Sequence, residues 1–210
     1  DIGRGAISAV FLIRAVIMGF LALPVGMAVD RYGPRVLVII GILIGGFATI
    51  GMAWISNLLG FYLVFGLLRA FALTLAGGEV ATTVVAKWFI RYRARALAIS
   101  SIGVPLAGVF LAPLAALLIN LYGWRNSFII FGVATLVILL VPAYMKLRRM
   151  PEDLGLYPDG ITPEEVEARA TLSGVSIVPE LNWTMGEAVR TPALWFITIS
   201  LNLTIFMTSS

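Results

Sequence analysis

The stretch that decides the fold is GMAVDRYGPR, residues 26–35, which lies between two long apolar runs. It places three charged side chains, Asp30, Arg31 and Arg35, in a chain that is 60% hydrophobic and only 12% charged. A soluble domain carries about twice that share of charge, and the mean hydropathy of this chain is +1.00. A polar turn in such surroundings predicts a connection between two helices that cross a membrane.

The apolar runs on either side of this turn belong to a longer series. A spanning helix needs about 20 apolar residues, and five runs are long enough: residues 6–29, 36–55, 58–86, 96–121 and 127–144. The third run is so long that we expect it to tilt or to extend beyond the bilayer. The predicted fold class is therefore an all-α, polytopic transmembrane helix bundle.

The composition divides the chain into three parts. Residues 1–146 are predicted to form a transmembrane bundle, and residues 147–190 a cytoplasmic linker that holds four prolines. The linker contains two capping boxes, Thr162 with Glu165 and Thr184 with Glu187, each of which predicts a helix start. Residues 191–210 are predicted to begin a second bundle. Because the chain begins with Asp and ends in an apolar stretch, we expect it to be an internal piece of a longer protein.

The basic residues predict the orientation in the membrane. Alternate connections are rich in Lys and Arg, whereas the opposite side has only Arg4 and Arg125. By the positive-inside rule the basic connections are cytoplasmic, which predicts a multi-pass protein of the plasma (inner) membrane. The residues on the cytoplasmic side are Arg31, Arg35, Lys87, Arg91, Arg93, Arg95, Lys146, Arg148 and Arg149.

Small residues are frequent in the apolar runs. Gly41 and Gly45 form a G-x-x-x-G pattern in the second run, and Ala107, Gly108 and Ala112 lie in the fourth. Apolar helices gain little from the hydrophobic effect in lipid, so close backbone approach is what packs them. We expect both groups to pack against neighbouring helices.

The chain contains no Cys and no His. This excludes disulfides, thiol nucleophiles, imidazole bases and metal sites built from these residues. No phosphate-binding loop is present, so an ATP-driven pump is not predicted. We expect no enzyme activity, no cofactor, no metal ion and no nucleic-acid partner.

Two arginines lie inside the predicted spans. Arg14 and Arg69 belong to runs that enter from the same side, about 12 and 16 Å deep at 1.5 Å per residue. A cation near the midplane costs several kcal/mol unless it faces water, protein or an anion. Because Arg binds carboxylates bidentately, two cations at one level predict a small organic anion as substrate.

Each of these charged residues also has an alternative role that does not involve the substrate. Arg69 is alternatively part of a structural ion pair, and Arg14 alternatively extends outward or pairs with a helix outside this sequence. Glu79, ten residues after Arg69, is a candidate for proton binding in transport. Its alternative role is to neutralise Arg35 or Arg93 at the inner end.

The turn at residues 26–35 is a candidate gate. Gly26 would let a neighbouring helix come close, and Asp30 would face a helix N-terminus or an arginine. Gly33 and Pro34 make the reversal, while Arg31 and Arg35 hold the turn on the cytoplasmic side. The alternative is a basic turn that only fixes the topology.

The spacing G-x-x-x-D-R-x-G-x-R resembles the signature loop of the major facilitator superfamily, which joins its second and third helices. Three further segments resemble other parts of this superfamily: GLLRAFALTLAGG around Arg69, AKWFIRYRARALAISSIGVPLAG, and GWRNSF at 123–128. Two more, PEDLGLYPDG at 151–160 and EAVRTPALWF at 187–196, resemble in particular its prokaryotic monocarboxylate-porter and oxalate/formate-antiporter-like branch.

This resemblance implies helices two to six of twelve, the central loop and the start of helix seven. It implies that substrate binds between two six-helix bundles and that Asp30 and the nearby arginines latch the cytoplasmic side. The expected partners are a small organic anion, a proton or counter-anion, the lipid bilayer and the C-terminal half of the same protein.

Three other functions remain open at this point. A proton-coupled exporter of apolar or neutral compounds would share the fold, although IGVPLAGVFLAP departs from the G-P-x-x-G-G pattern of such exporters. A membrane-embedded enzyme would need buried acids or metal ligands, and the spans offer only Arg14, Arg69 and Glu79. A non-transporting membrane sensor is the last.

Overall fold

The computed structural model describes residues 4–147, together with 187, 190–192 and 195–196. The chain divides into two compact units, Asp1–Glu165 and Val166–Ser210. No strand occurs in the described part, which is almost wholly helical, so the all-α prediction is confirmed. Most of the linker and of the predicted second bundle lies outside the described residues, and so do both predicted capping-box Thr residues.

Seven α-helices follow one another along the described part of the first unit. Short 3₁₀ and π segments, Met52–Trp54 and Tyr62–Leu68, extend or join them. The α-helices are α1 (Arg4–Tyr32), α2 (Pro34–Gly51), α3 (Leu58–Phe61), α4 (Arg69–Ala76), α5 (Gly78–Trp88), α6 (Arg93–Ser101) and α7 (Gly103–Lys146). Four stretches are long and apolar enough to cross a membrane: Ser8–Tyr32, Pro34–Trp54, Leu58–Trp88 and Arg93–Met145.

The fourth and fifth predicted runs are joined in α7. This helix has 44 residues, or about 66 Å at 1.5 Å per residue, roughly twice the bilayer core. It is broken at Gly123, whose backbone is not helical (φ 78°, ψ 162°). The loop predicted between two separate runs is therefore reduced to a single residue, which divides α7 into a first segment (103–122) and a second segment (124–146).

The third predicted run is not one continuous helix either. It passes through the π segment Tyr62–Leu68 and breaks at Gly77, where the backbone is extended. A Cβ at Gly77 would collide with the carbonyl of Leu73, so glycine is required there. The extra length of this run is thus divided among several shorter helices.

Glycines bring α2 close to its neighbours, as predicted. A Cβ added to Gly41 would lie 2.8 Å from that of Ala76, and one on Gly45 would lie 3.2 Å from that of Ala72. The next residue, Gly46, faces the second segment of α7. Among the described residues, a Cβ added at Gly108 would meet no atom within 4 Å, so the described helices do not supply the packing partner predicted for this glycine.

Two turns of the chain share a sequence pattern and the conformation of its glycine. Tyr-Gly-x-Arg occurs at 32–35 and at 122–125, and both glycines have φ near 80° (82° at Gly33, 78° at Gly123). L-residues rarely adopt such an angle. The helices that follow are α2 and the second segment of α7. They pack antiparallel, as shown by the contacts of Gly46 with Leu136 and of Ile50 with Gly132. This is the arrangement expected of an inverted repeat.

Candidate functional site

A cavity of about 590 Å³ lies between α2, the π segment, α4 and both segments of α7. We call it the Arg69 cavity. Its polar lining consists of Arg69, Thr49 and Thr135. The remaining walls are apolar and include the rings of Phe65, Phe128 and Phe131. A concave, largely apolar site with a few polar groups is typical of small-molecule binding.

Arg69 occupies the position directly after the π segment, at the start of α4. Its Nη1 donates a hydrogen bond to Thr49 Oγ1 (3.0 Å), and the Thr49 hydroxyl donates to the carbonyl of Gly45 (2.7 Å). Within the described part of the chain, no carboxylate lies within ion-pair distance of Arg69. The π segments of helices are frequent at functional sites, and this one places a half-buried cation against the cavity.

Arg14 and Arg69, which the sequence predicts at a similar depth, both lie against the ring of Phe65. The guanidinium carbon of Arg14 is 4.8 Å from the Phe11 ring centroid and 5.7 Å from that of Phe65. The guanidinium carbon of Arg69 is 6.0 Å from the same Phe65 centroid. The structure therefore gathers two positive charges around one aromatic ring.

The turn at residues 26–35 joins the ends of several helices. Asp30 Oδ1 accepts a hydrogen bond from Lys87 Nζ at 2.7 Å. The sequence had offered an arginine or a helix N-terminus as the partner of Asp30, and the lysine at the end of α5 was missed. Arg35 Nη2 donates to the carbonyl of Tyr144 (2.6 Å), and its guanidinium carbon lies 4.9 Å from the Tyr144 ring centroid.

Two other residues of the predicted gate, Arg31 and Gly26, lie on α1. The guanidinium of Arg31 lies over the ring of the neighbouring Tyr32, at 5.3 Å. Among the described residues, a Cβ added at Gly26 would meet no atom within 4 Å. Gly26 instead lines a second cavity of about 230 Å³ beside α1.

This second cavity brings together two predicted site residues. Asp30 and Glu79 both line it, beside Gly26 and Thr83. Glu79 is exposed in the first turn of α5. Its suggested neutralising partners have other contacts, since Arg35 binds the Tyr144 carbonyl and Arg93 binds the carbonyl of Ala86. Within the described residues, no three His, Cys, Asp or Glu side chains are grouped to hold a metal ion.

The sequence argument missed Thr49 as a partner of Arg69. A signal was present, because Gly41, Gly45 and Thr49 are spaced four residues apart and therefore share one helix face. That face packs against α4, which begins with Arg69. A hydroxyl on the glycine face of α2 was thus the natural candidate for a buried polar contact.

Comparison with known proteins completes the description of the site. The profile of the Major Facilitator Superfamily matches residues 1–210. Human monocarboxylate transporter 11 is 33% identical over 116 residues, 55% of this chain and 24% of that protein. Rat monocarboxylate transporter 2 is 26% identical over 179 residues, 85% of this chain and 36% of that protein. The chain thus spans less than half the length of these curated relatives.

Proposed function

The chain belongs to the Major Facilitator Superfamily, a family of membrane transporters rather than enzymes, and on that premise we propose that it is a secondary active transporter for a small organic anion, a mono- or dicarboxylate. The described helices make it a multi-pass membrane protein. In such carriers two bundles alternate around a site near the midplane.

The observation that carries the proposal is the pair of arginines at Phe65. A guanidinium in a spanning segment needs an anion, water or polar protein groups, and Arg69 has the hydroxyl of Thr49 but no carboxylate partner among the described residues. Arg69 and Arg14 therefore form a positive site that suits a carboxylate. The relatives named above are monocarboxylate transporters, which agrees with this charge.

We assign the gate to the end of the bundle where Asp30 meets Lys87 and Arg35 meets Tyr144. These contacts tie α1 to α5 and α2 to α7 through polar groups that can be made and broken. Gly33 shapes the turn, while Gly26 and Arg31 complete the predicted loop. By the positive-inside rule we place this end of the bundle on the cytoplasmic side of the inner membrane.

Glu79 is the candidate for coupling to a proton. It lines the small cavity with Asp30, and a carboxyl group that faces a cavity can take up and release protons as the carrier opens. We also propose that the chain belongs to the prokaryotic monocarboxylate-porter and oxalate/formate-antiporter-like branch. Coupling to a proton would make the carrier a symporter, whereas exchange against a counter-anion would make it an antiporter.

A second function, export of apolar or neutral compounds, draws support from the apolar walls of the Arg69 cavity. The two functions differ in the role of Arg69. For a carrier of organic anions its charge binds the substrate, whereas for an exporter of neutral compounds it does not.

Transport by the complete protein in liposomes separates these functions. Uptake of labelled oxalate, formate and lactate would be measured for the wild type, Arg69→Gln and Arg69→Lys. Saturable carboxylate exchange that Arg69→Gln abolishes and Arg69→Lys partly retains supports an anion carrier. If no carboxylate is transported and a neutral apolar solute is, the protein is an exporter of neutral compounds and the anion-carrier proposal is rejected.

A further inference from the structure

We infer that α5 moves as a rigid helix about a hinge at Gly77 and closes the second cavity, which separates it from α1. For its role in transport this inference rests on the proposed gate, because α5 carries Lys87, a partner of Asp30. It names the helix that moves when the gate changes state.

The break between α4 and α5 lies at a single residue. Gly77 has φ −82° and ψ −172°, whereas an α-helix has ψ of about −42°. The N–H of Ala81 donates to the carbonyl of Gly77 (3.2 Å), so α5 begins directly after the break. A rotation of ψ at Gly77 therefore redirects the whole of α5. Hinges consist of a few residues at the ends of elements that absorb such a change, and glycine has the necessary freedom.

The helix before the hinge is fixed in the bundle. Ala70, Ala72 and Thr74 of α4 are buried. A Cβ added to Gly41 of α2 would lie only 2.8 Å from the Cβ of Ala76, in the last turn of α4. A close-packed interface of this kind leaves no space for α4 to move, so a change at the hinge must displace α5.

The helix after the hinge is loosely held. Within the described part of the chain, Val80 is the one residue of α5 that is buried, and Ala81, Thr82 and Thr83 are exposed. The hydroxyls of both threonines donate to the carbonyl of Glu79 in the same helix. Elements with few buried apolar contacts are those that move at low cost.

The second cavity provides the space for this movement. Val25, Gly26 and Val29 of α1 form one wall, and Val80 and Thr83 of α5 form another. Its volume is about 230 Å³. Because a Cβ added at Gly26 would meet no atom within 4 Å, the surface of α1 is open here to an approaching helix.

The length of α5 makes a small rotation sufficient. Its 11 residues span about 16 Å, so a turn of about 20° at Gly77 displaces the far end by roughly 5 Å. Lys87 lies near that end, with its Nζ 2.7 Å from Asp30 Oδ1. The flexible four-carbon stem of lysine lets this contact form or break as the gap changes.

Distances between spin labels on the complete protein measure the movement. The chain has no Cys, so labels are attached at introduced cysteines, with any cysteine elsewhere in the protein replaced by Ser. Met27→Cys on α1 and Phe89→Cys directly after α5 report the movement, and Met27→Cys with Leu68→Cys, before the hinge, is the reference pair. All three residues are exposed.

Two adjacent glycines provide a matched pair of variants. A Cβ at Gly77 would collide with the carbonyl of Leu73, whereas one at Gly78 would meet no atom within 4 Å. Gly77→Ala therefore disfavours the broken conformation, and alanine favours a helix. The distance between labels 27 and 89 should shorten by at least about 3 Å in Gly77→Ala and change by less than about 1 Å in Gly78→Ala. The reference distance should change in neither.

Filling the cavity tests the movement from the opposite side. Ala22 of α1 lines the cavity, whereas Ala15 is exposed on the same helix and outside the lining. The wild type should show a minor population with the short distance, which Ala22→Phe removes and Ala15→Phe retains. This comparison holds even if Gly77→Ala folds poorly. Ala22→Phe should also restore the wild-type distance when it is combined with Gly77→Ala.

Carboxylate uptake by the same variants separates the hinge from the proposed function. Gly77→Ala should lower the maximal rate at least about fivefold, and Gly78→Ala less than about twofold. If Gly77→Ala and Gly78→Ala give equal distances, or if Ala22→Phe acts like Ala15→Phe, the hinge is refuted while measured uptake still supports the anion carrier. If the distances respond as expected but no carboxylate is transported, the hinge is supported and the proposed function is rejected.

Discussion

Replacing Thr49 by Val tests whether one hydroxyl holds Arg69 ready for its substrate. The side chains are of similar shape, so the change removes the acceptor of the 3.0 Å bond from Arg69 Nη1 and the donor of the 2.7 Å bond to the Gly45 carbonyl. Thr49 is only 9% exposed, so water replaces the lost partner poorly. Without it the guanidinium is free to leave the rotamer that faces the cavity.

The expected change in KM follows from the number of side chains that substrate binding must immobilise in the variant but not in the wild type. Immobilising one long side chain on binding costs about 0.5–1.5 kcal/mol. Taking about 1 kcal/mol for Arg69, the half-saturating substrate concentration should rise about fivefold, since about 1.4 kcal/mol corresponds to tenfold. The maximal rate should change little, because Thr49 does not itself supply the charge.

Initial rates of carboxylate uptake over a range of concentrations give KM and the maximal rate separately. Thr49→Ser keeps the hydroxyl and should restore the wild-type KM. The matched control is Thr135→Val, which loses a hydroxyl from the same cavity whose donor bond goes to Phe131 rather than to Arg69. If Thr49→Val leaves KM unchanged, or if Thr135→Val raises it equally, the positioning argument is refuted.

Two further predictions concern the turns and the gate. Gly33→Ala and Gly123→Ala force a side chain into a conformation with φ near 80°, which costs about 1–3 kcal/mol each. Both substitutions should lower the unfolding temperature in detergent. The control Gly19→Ala, in open space on α1, should not. Asp30→Lys places like charges at the contact with Lys87 and should slow transport, and the exchanged pair Asp30→Lys with Lys87→Asp should recover much of the rate; lack of recovery would separate Lys87 from the gate.

Much of the fold could be predicted from sequence because the bilayer imposes a simple rule. Long apolar runs must be helical, since lipid offers no partner to exposed backbone groups, and the basic turns alternate between them. The turn at Gly33 was also predictable, as glycine before proline at a helix start leaves few other conformations. Counting residues along two spans predicts a similar depth for Arg14 and Arg69, but it does not predict that both lie against the ring of Phe65.

The remaining features depend on tertiary contacts that a hydropathy pattern does not record. The π segment before Arg69 and the break at Gly77 occur inside one long apolar run. The mean hydropathy of the run does not locate them, although Arg69 and the pair Gly77–Gly78 stand beside them in the sequence. One partner of Asp30 is Lys87, which lies 57 residues away in the sequence. The Thr49 contact depends on how α2 and α4 approach one another, which the small residues of both helices decide together.

The two turns of the internal repeat differ in the contacts that their arginines make. Arg35 opens α2 and binds the carbonyl of Tyr144 in the last turn of α7, where helix carbonyls lack helical partners and a cation is favoured. By the repeat, Arg125 should reach Trp54 at the end of the segment that extends α2. Instead the Arg125 guanidinium carbon lies 4.3 Å from the ring centroid of its neighbour Trp124, and Trp54 is 69% exposed. Within the described residues, one end of this helix pair is therefore tied by an arginine–carbonyl bond and the other is not, so the proposed gate rests on the contact of Arg35 rather than on the repeat alone.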